Sequence, residues 1–189
     1  SQPSAAELAR LASDARVGGM LAGKAGTVLI HVGEAPEGLA LLREASSRWP
    51  VPIAQWHPTH VNRHASLLAD GFAFVREGGS IDFTTSSTAD FVAAGEIPAA
   101  KALAEAVAAG LPIERISLSS DGQASLPHFD AQGRLLSLEV APIASLLGSV
   151  REAVEAHGVA LGTALAAATS SPAAIWGLPR KGGIAAGMD

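Results

Sequence analysis

Apolar positions along the chain recur in two alternating spacings. Leu8, Leu11, Ala12 and Ala15 follow the i, i+3, i+4, i+7 rhythm of an amphipathic helix. Ser4 with Glu7 three residues later makes the capping-box pair that opens such a helix, and Gly23 and Gly26 end it. "TVLIHVG" (27–33) then compresses into a nearly continuous apolar run rich in β-branched residues, which predicts a strand buried on both faces. The alternation repeats. Pro36 opens a helix through Leu39, Leu42 and Ala45, and "PIAQWHPTH" (52–60) is the next strand. Asn62 is placed to cap a helix through Leu67, Leu68, Phe72 and Val75, closed by Gly78 and Gly79. "SIDFTT" (80–85) is a third strand, Pro98 opens a helix through Leu103 and Val107 that ends at Gly110, and "RISLSSD" (115–121) is a fourth strand. The connection 122–139 contains "FDAQGRLL", which predicts a small hairpin. Helices follow over 141–157, 161–168 and 172–176, with Ser171-Pro172 as a cap and first-turn pair.

Strands alternating with helices of this length predict an α/β fold of parallel β/α units. Four such units fall short of the eight that close a barrel, and they leave two bare edge strands. "HVGEAPEG" after the first strand is not G-x-G-x-x-G, so a dinucleotide-binding reading has no support. "GLPRKGGIAAGMD" at the end reads as a turn leading toward further structure.

Composition narrows the function classes. The 189 residues are 48% apolar, enough for a substantial core, and the net charge of −5 is dispersed. No basic run suggests a nucleic-acid or membrane partner. The chain has no cysteine, which excludes disulfides, thiolate metal ligands and a cysteine nucleophile. "SQPSAAELAR" lacks the basic start and apolar run of a secretory signal, and no window of 18 uninterrupted apolar residues appears. A cytoplasmic protein is expected. The absence of an initiator Met and the immediate helix signal lead us to expect a chain that begins mid-protein.

Four polar residues fall at or near the carboxyl ends of the four strands: His31, His60, Asp82 and Asp121. In parallel β/α folds these ends share one face, and that face hosts active sites. Imidazole nitrogens and a carboxylate suit a zinc-like divalent cation, which makes His31, His60 and Asp121 the candidate metal ligands. Asp82 lies within its strand, and a structural role or a supporting one is equally open. His57, three residues before His60 on an extended segment, is expected to face the opposite side. His64, His128 and His157 fall on a helix, a loop and a helix end and are read as structural or surface groups. Arg63 sits where the helix dipole disfavours a cation, which favours a bidentate clamp on a substrate carboxylate over a simple surface role. Ser125 lies where a loop can close over the same face. G-x-S-x-G is absent, so no serine hydrolase is indicated.

"HVGE", "PTHVNR", "GGSIDFT", "LSSDGQAS" and "GGIAAGMD", in this order, resemble the isoaspartyl (β-aspartyl) dipeptidases of the metal-dependent amidohydrolase superfamily, over essentially the whole chain. The resemblance implies a TIM-like (β/α)8 metal-dependent hydrolase barrel of which this chain carries the second half, strands five to eight. Residues 1–177 would form that half and 178–189 the truncated start of a return to a small β domain. It implies two zinc ions per complete site, with other divalent metals as alternatives, and hydrolysis of β-aspartyl dipeptides by a metal-activated water. His31 and His60 would bind one zinc; Asp121 would bind the other and carry the proton from water to the leaving amine. Arg63 and Ser125 would contact substrate. The family's H-x-H on its first strand and its bridging carboxylated lysine have no counterpart: the chain contains no H-x-H, and Lys24, Lys101 and Lys181 lie in the wrong contexts. The site is therefore expected to be complete only with the missing N-terminal half, the isolated fragment to be inactive, and the assembled protein to be a homo-oligomer. Two alternatives stay open: another amidohydrolase acting on cyclic amides or N-acyl amino acids, and a non-catalytic α/β scaffold.

Overall fold

The computed structural model describes residues 3–189. Helix α1 (Ala5–Ala22) begins as its sequence dictates. The Glu7 amide donates to Ser4 Oγ at 3.3 Å, the Ser4 amide donates to Glu7 Oε2 at 2.7 Å, and Gly23 ends the helix with a left-handed φ of 65°. Strand β1 (Val28–His31) pairs in parallel with β2 (Trp56–Thr59), in register Val28 with Trp56 and His31 with Thr59. Strand β3 (Ile81–Thr84) pairs in parallel with β4 (Ile116–Ser119), Ile81 opposite Ile116 and Thr84 opposite Ser119. The two pairs lie side by side through β2 and β3, and the sheets are small and unclosed.

Helices α2 (Ala40–Arg48), α3 (Ala65–Arg76), a short α4 (Ala89–Ala93) and α5 (Ala99–Ala108) connect the strands, and α6 (Ser145–Glu155), α7 (Leu161–Ala168) and α8 (Ser170–Ile175) follow them. Between β4 and α6 an antiparallel hairpin rises, β5 (Ser125–Phe129) with β6 (Leu135–Val140), where the sequence indicated one. The core is apolar: Trp56, Leu67, Phe74, Ile81, Phe83, Leu103 and Ile116 are fully buried between strands and helices. Gly71 of α3 is a point of close approach. A Cβ there would stand 2.3 Å from Val61 Cγ1, so the helix packs directly on the turn that follows β2.

Several expectations change. β1 is not buried on both faces: Leu29 is 43% exposed, because β2 is its only strand partner among the described residues. α2 starts at Ala40 rather than Pro36, since Gly38 takes φ 53° and the Leu39 amide is held by Asp70 Oδ2 at 2.8 Å. Asn62 does not cap α3. The chain first makes a 3-10 turn over Val61–Arg63, and His64 caps instead, its Nδ1 accepting from the Leu67 amide at 3.2 Å. Ser171 lies inside α8 and donates to the Ile113 carbonyl at 2.8 Å; Thr169 stands at the cap position. α4 was not visible as a separate helix in the sequence pattern.

Candidate functional site

The three proposed ligands come together. His31 ends β1, His60 follows β2 and Asp121 lies just past β4. His31 Nδ1 stands 2.9 Å from His60 Nε2, their ring centroids are 4.9 Å apart, and Asp121 Oδ2 lies 4.0 Å from His60 Nε2. Residues 29 and 61 positions apart in sequence thus meet because parallel strands deliver their carboxyl ends to one rim. His60 adopts φ 64° and Asp121 φ 48°, and with Gln123 at 71° they are the non-glycine residues of positive φ among the described residues. Left-handed backbone at a side chain with a Cβ is strained, and such strain concentrates at functional sites.

Burial lowers the His60 ring to about 4; the Arg63 charge pushes the same way, Asp121 opposes it and His31 adds to the lowering. His60 is therefore neutral near pH 7, with one ring nitrogen carrying a lone pair that can bind a cation. His60 Nδ1, the ring nitrogen that faces away from His31, is buried and lacks a hydrogen-bond partner.

Arg63 lies three residues past His60 in the 3-10 turn, partly exposed, with Nη1 3.8 Å from Glu34 Oε1 and a buried Nε that lacks a partner. A cavity of about 360 Å³ opens beside it, lined by Glu34, Pro36, Arg63, His64, Phe91 and Glu96 among others. Burial raises the Glu96 carboxyl, against the lowering effects of its hydrogen bond from Ser87 and of Arg63. Asn62 fixes this turn. Its Nδ2 donates to the Thr84 and Ile97 carbonyls at 3.1 and 2.9 Å, and its Oδ1 accepts from the Thr84 amide at 2.9 Å. Ser125 opens β5 on its exposed side, four residues after Asp121.

Below the rim, Asp82 is buried and receives hydrogen bonds from the Thr59 and Ser119 hydroxyls at 2.6 Å each, with Ser117 Oγ against its other oxygen. His57 does not face away from this group. Its ring reaches Ser117 Oγ at 3.0 Å and Ser80 Oγ at 2.9 Å, on the same interior face as Thr59. Counting alternation back from His60 misled because His60 is not extended; counting from Thr59, two residues from His57, gives the right face. The sequence signal for this network was present in the alternation Ile116, Ser117, Leu118, Ser119, which turns both serines inward. Of the remaining histidines, His128 pairs with Asp90 at 3.1 Å and Glu139 at 3.3 Å, and His157 with Glu152 at 3.8 Å.

No family profile matches the chain. Solved structures do. The β-aspartyl dipeptidase of the thermophilic, keratin-degrading Fervidobacterium islandicum AW-1, solved in complex with the β-Asp-Leu dipeptide, superposes with a TM-score of 0.87 at 36% identity, covering 100% of this chain and 48% of that one. Along its whole length the chain is similar to a β-aspartyl dipeptidase. A second structure of β-aspartyl dipeptidase from the same organism gives a TM-score of 0.82 at 32% identity and covers 100% of this chain and 46% of that one. The chain thus spans about half the length of the β-aspartyl dipeptidases it matches.

The donor set meets the demands of a cation in part. Among the described residues no three His, Asp or Glu side chains close into a metal-holding group. Two ring nitrogens nonetheless face each other. Nitrogens bound to one tetrahedral zinc at about 2.0–2.1 Å stand roughly 3.3 Å apart, so the 2.9 Å pair is within a few tenths of an ångström of a shared ligand position. Chemistry and spacing fit part of a cation site. No helix among the described residues is long and apolar enough to cross a membrane.

Proposed function

We propose that this chain carries strands five to eight of a TIM-like (β/α)8 barrel and acts in zinc-dependent hydrolysis of β-aspartyl dipeptides, in a site completed by an N-terminal half. In this reading residues 1–177 belong to the barrel and 178–189 lead toward a smaller β domain. The observation that carries the proposal is the meeting of His31, His60 and Asp121 at the carboxyl ends of parallel strands, in a chain that superposes along its whole length on a β-aspartyl dipeptidase.

His31 and His60 would hold one divalent cation through Nδ1 and Nε2, and Asp121 would reach a second. When bound, such ions supply an acidified water and polarise the amide carbonyl. The residues of this chain do the rest. Asp121 takes the proton from the attacking water and returns it to the leaving amine, a base and then an acid on one carboxylate. Arg63 leaves Glu34 and clamps the free α-carboxylate that an isoaspartyl linkage leaves on the aspartyl residue. Ser125 closes on the substrate from the start of β5. Exposed Leu135, Leu136, Leu138 and Val140 along β6 support a homo-oligomeric assembly.

The test is hydrolysis of β-Asp-Leu by the protein joined to or co-expressed with an N-terminal half, together with its zinc content. Turnover that disappears with His31→Ala or His60→Ala, alongside lost metal, is expected. A complete protein that binds no metal and leaves β-Asp-Leu intact overturns the proposal, and faster cleavage of an N-acyl amino acid or a cyclic amide reassigns the substrate.

A further inference from the structure

The β5–β6 hairpin leaves the rim just after Asp121 and has little packing of its own. All six residues of β6 are exposed, and Leu126 is the one buried residue of β5. A two-stranded hairpin is marginal alone in water, so its attachments decide where it points. At its root the Gln123 amide donates to the Ala141 carbonyl at 3.0 Å, the Ala141 amide to the Ala124 carbonyl at 2.9 Å, and the Ala124 amide to the Asp121 carbonyl at 3.0 Å. Further out, a cavity of about 380 Å³ opens between the hairpin and the loop that follows β3. His128 of β5 and Asp90 of α4 both line it, and they meet at 3.1 Å.

The His128 ring has a carboxylate at each nitrogen. Nδ1 lies 3.1 Å from Asp90 Oδ2, and Nε2 lies 3.3 Å from Glu139 Oε1. Ionised carboxylates only accept, and a neutral imidazole donates from one nitrogen alone. A neutral ring therefore turns a lone pair toward one of the two acids, and neither partner is a hydroxyl that could reverse and donate. Nε2 is buried and makes no aligned hydrogen bond, so water does not stand in for the missing proton. Only the imidazolium presents a positive N–H toward both acids. We propose that His128 is a positioning residue: as an imidazolium between Asp90 and Glu139 it clasps the hairpin to α4, and so holds Ser125, at the hairpin's root, in place for substrate.

Asp90 and Glu139 are the charged groups that face this ring from α4 and β6; the other residues lining the cavity, among the described residues, carry no charge. Asp130 and Arg134 at the hairpin turn pair with each other at 2.7 Å. The hydrogen bond with Asp90 raises the His128 ring, burial opposes it, and the Glu139 charge adds to the rise. A histidine free in water titrates at about 6.5. The clasp is therefore complete below that value and loosens as pH rises through the higher value of the closed state. Once the ring is neutral, two acids face it with no positive charge between them. Exposed pairs are individually weak, so the clasp shifts a population toward the closed hairpin rather than locking it.

Ser125 lies three residues before His128 and four after Asp121, so a hairpin that swings at its root carries this side chain with it. The consequence for substrate binding rests on the dipeptidase reading; the clasp does not.

The chain has no cysteine, and Ala93 of α4 and Gln132 of the hairpin turn are exposed. Spin labels on Ala93→Cys and Gln132→Cys therefore report the distance from hairpin tip to α4. Pulsed electron resonance on the protein assembled with its N-terminal half, diluted into unlabelled copies, should give a narrow distribution at pH 6 and a broader, longer one at pH 9. His128→Gln should give the broad distribution at both values. His128→Arg, whose fork serves two carboxylates at any pH, should stay narrow at both. A wild-type distribution that is the same at pH 6 and 9, or a glutamine variant that matches the wild type at pH 6, overturns the clasp. Broadening at pH 9 that persists in His128→Arg assigns the titration to another group and overturns it too. In the assembled enzyme, KM for β-Asp-Leu in His128→Gln should exceed the wild-type value about 3–5-fold at pH 6 and match it at pH 9, with kcat less affected. A KM ratio that is the same at both pH values overturns the positioning role. A wild type inactive on β-Asp-Leu ends the dipeptidase reading, while the label distances still decide the clasp.

Discussion

Replacing Asn62 with alanine probes the turn that places Arg63. The Asn62 side chain is fully buried and serves three backbone groups: the Thr84 amide, the Thr84 carbonyl and the Ile97 carbonyl. Alanine leaves all three without that partner in a site closed to water. A buried backbone group stranded in this way costs about 1–3 kcal/mol. Partial relaxation brings the expected total to roughly 3–5 kcal/mol, within the range of a broken buried network. For a chain of this size that is a fall in Tm of about 10 °C. Thermal and urea denaturation followed by circular dichroism measure it. Asn62→Asp is a sharper version, because it retains the acceptor for the Thr84 amide but turns an oxygen toward two carbonyls. It should be at least as damaging at pH 7 and recover in part on acidification, as the protonated acid regains one donor. A loss below about 1 kcal/mol in Asn62→Ala would show that the three hydrogen bonds are replaceable, and the argument that this side chain locks the turn would fail.

Four further outcomes are expected. Asp121→Asn in the assembled enzyme should lower kcat on β-Asp-Leu by about 10²–10⁴-fold with metal partly retained, read by steady-state kinetics and metal analysis; unchanged turnover removes Asp121 as proton carrier. The His60 ring is held near 4 when folded and titrates near 6.5 when unfolded, so its contribution is present above pH 6.5 and is lost as pH falls toward 4. After allowance for solvent screening, the stability lost between pH 7 and 5 should be about 1–2 kcal/mol smaller in His60→Asn than in the wild type, by denaturant titration at both pH values. Arg63→Lys keeps the charge but not the fork, and KM for β-Asp-Leu should rise about tenfold, or 1.4 kcal/mol, with kcat less affected. Gly71→Ala drives a methyl into Val61 and should destabilise by about 1–3 kcal/mol in a thermal melt.

The repeating strands and the capping box were legible because each depends on neighbours within a few residues. So was the rim, since strand ends can be counted from apolar runs, and His31, His60 and Asp121 do meet there. What was not legible depends on distant partners. The start of α2 is set by Asp70, 31 positions from Leu39. Asn62 reads as a cap, yet its three partners lie 22 and 35 residues away. Asp82 and His57 acquire their roles only when β2, β3 and β4 stand together. The exposure of Leu29 reflects an unpaired edge, which an apolar run cannot announce.

The left-handed backbone at His60 and Asp121 also bears on how the molecule would respond to selection. Holding a residue with a Cβ there costs roughly 1–2 kcal/mol, and glycine would relieve it at either position. A library screened only for survival after heating should therefore enrich glycine at 60 and 121, trading the site away for robustness. Gln123 would give way under the same pressure, so of the three positions eroded two would mark the chemistry without any substrate being supplied.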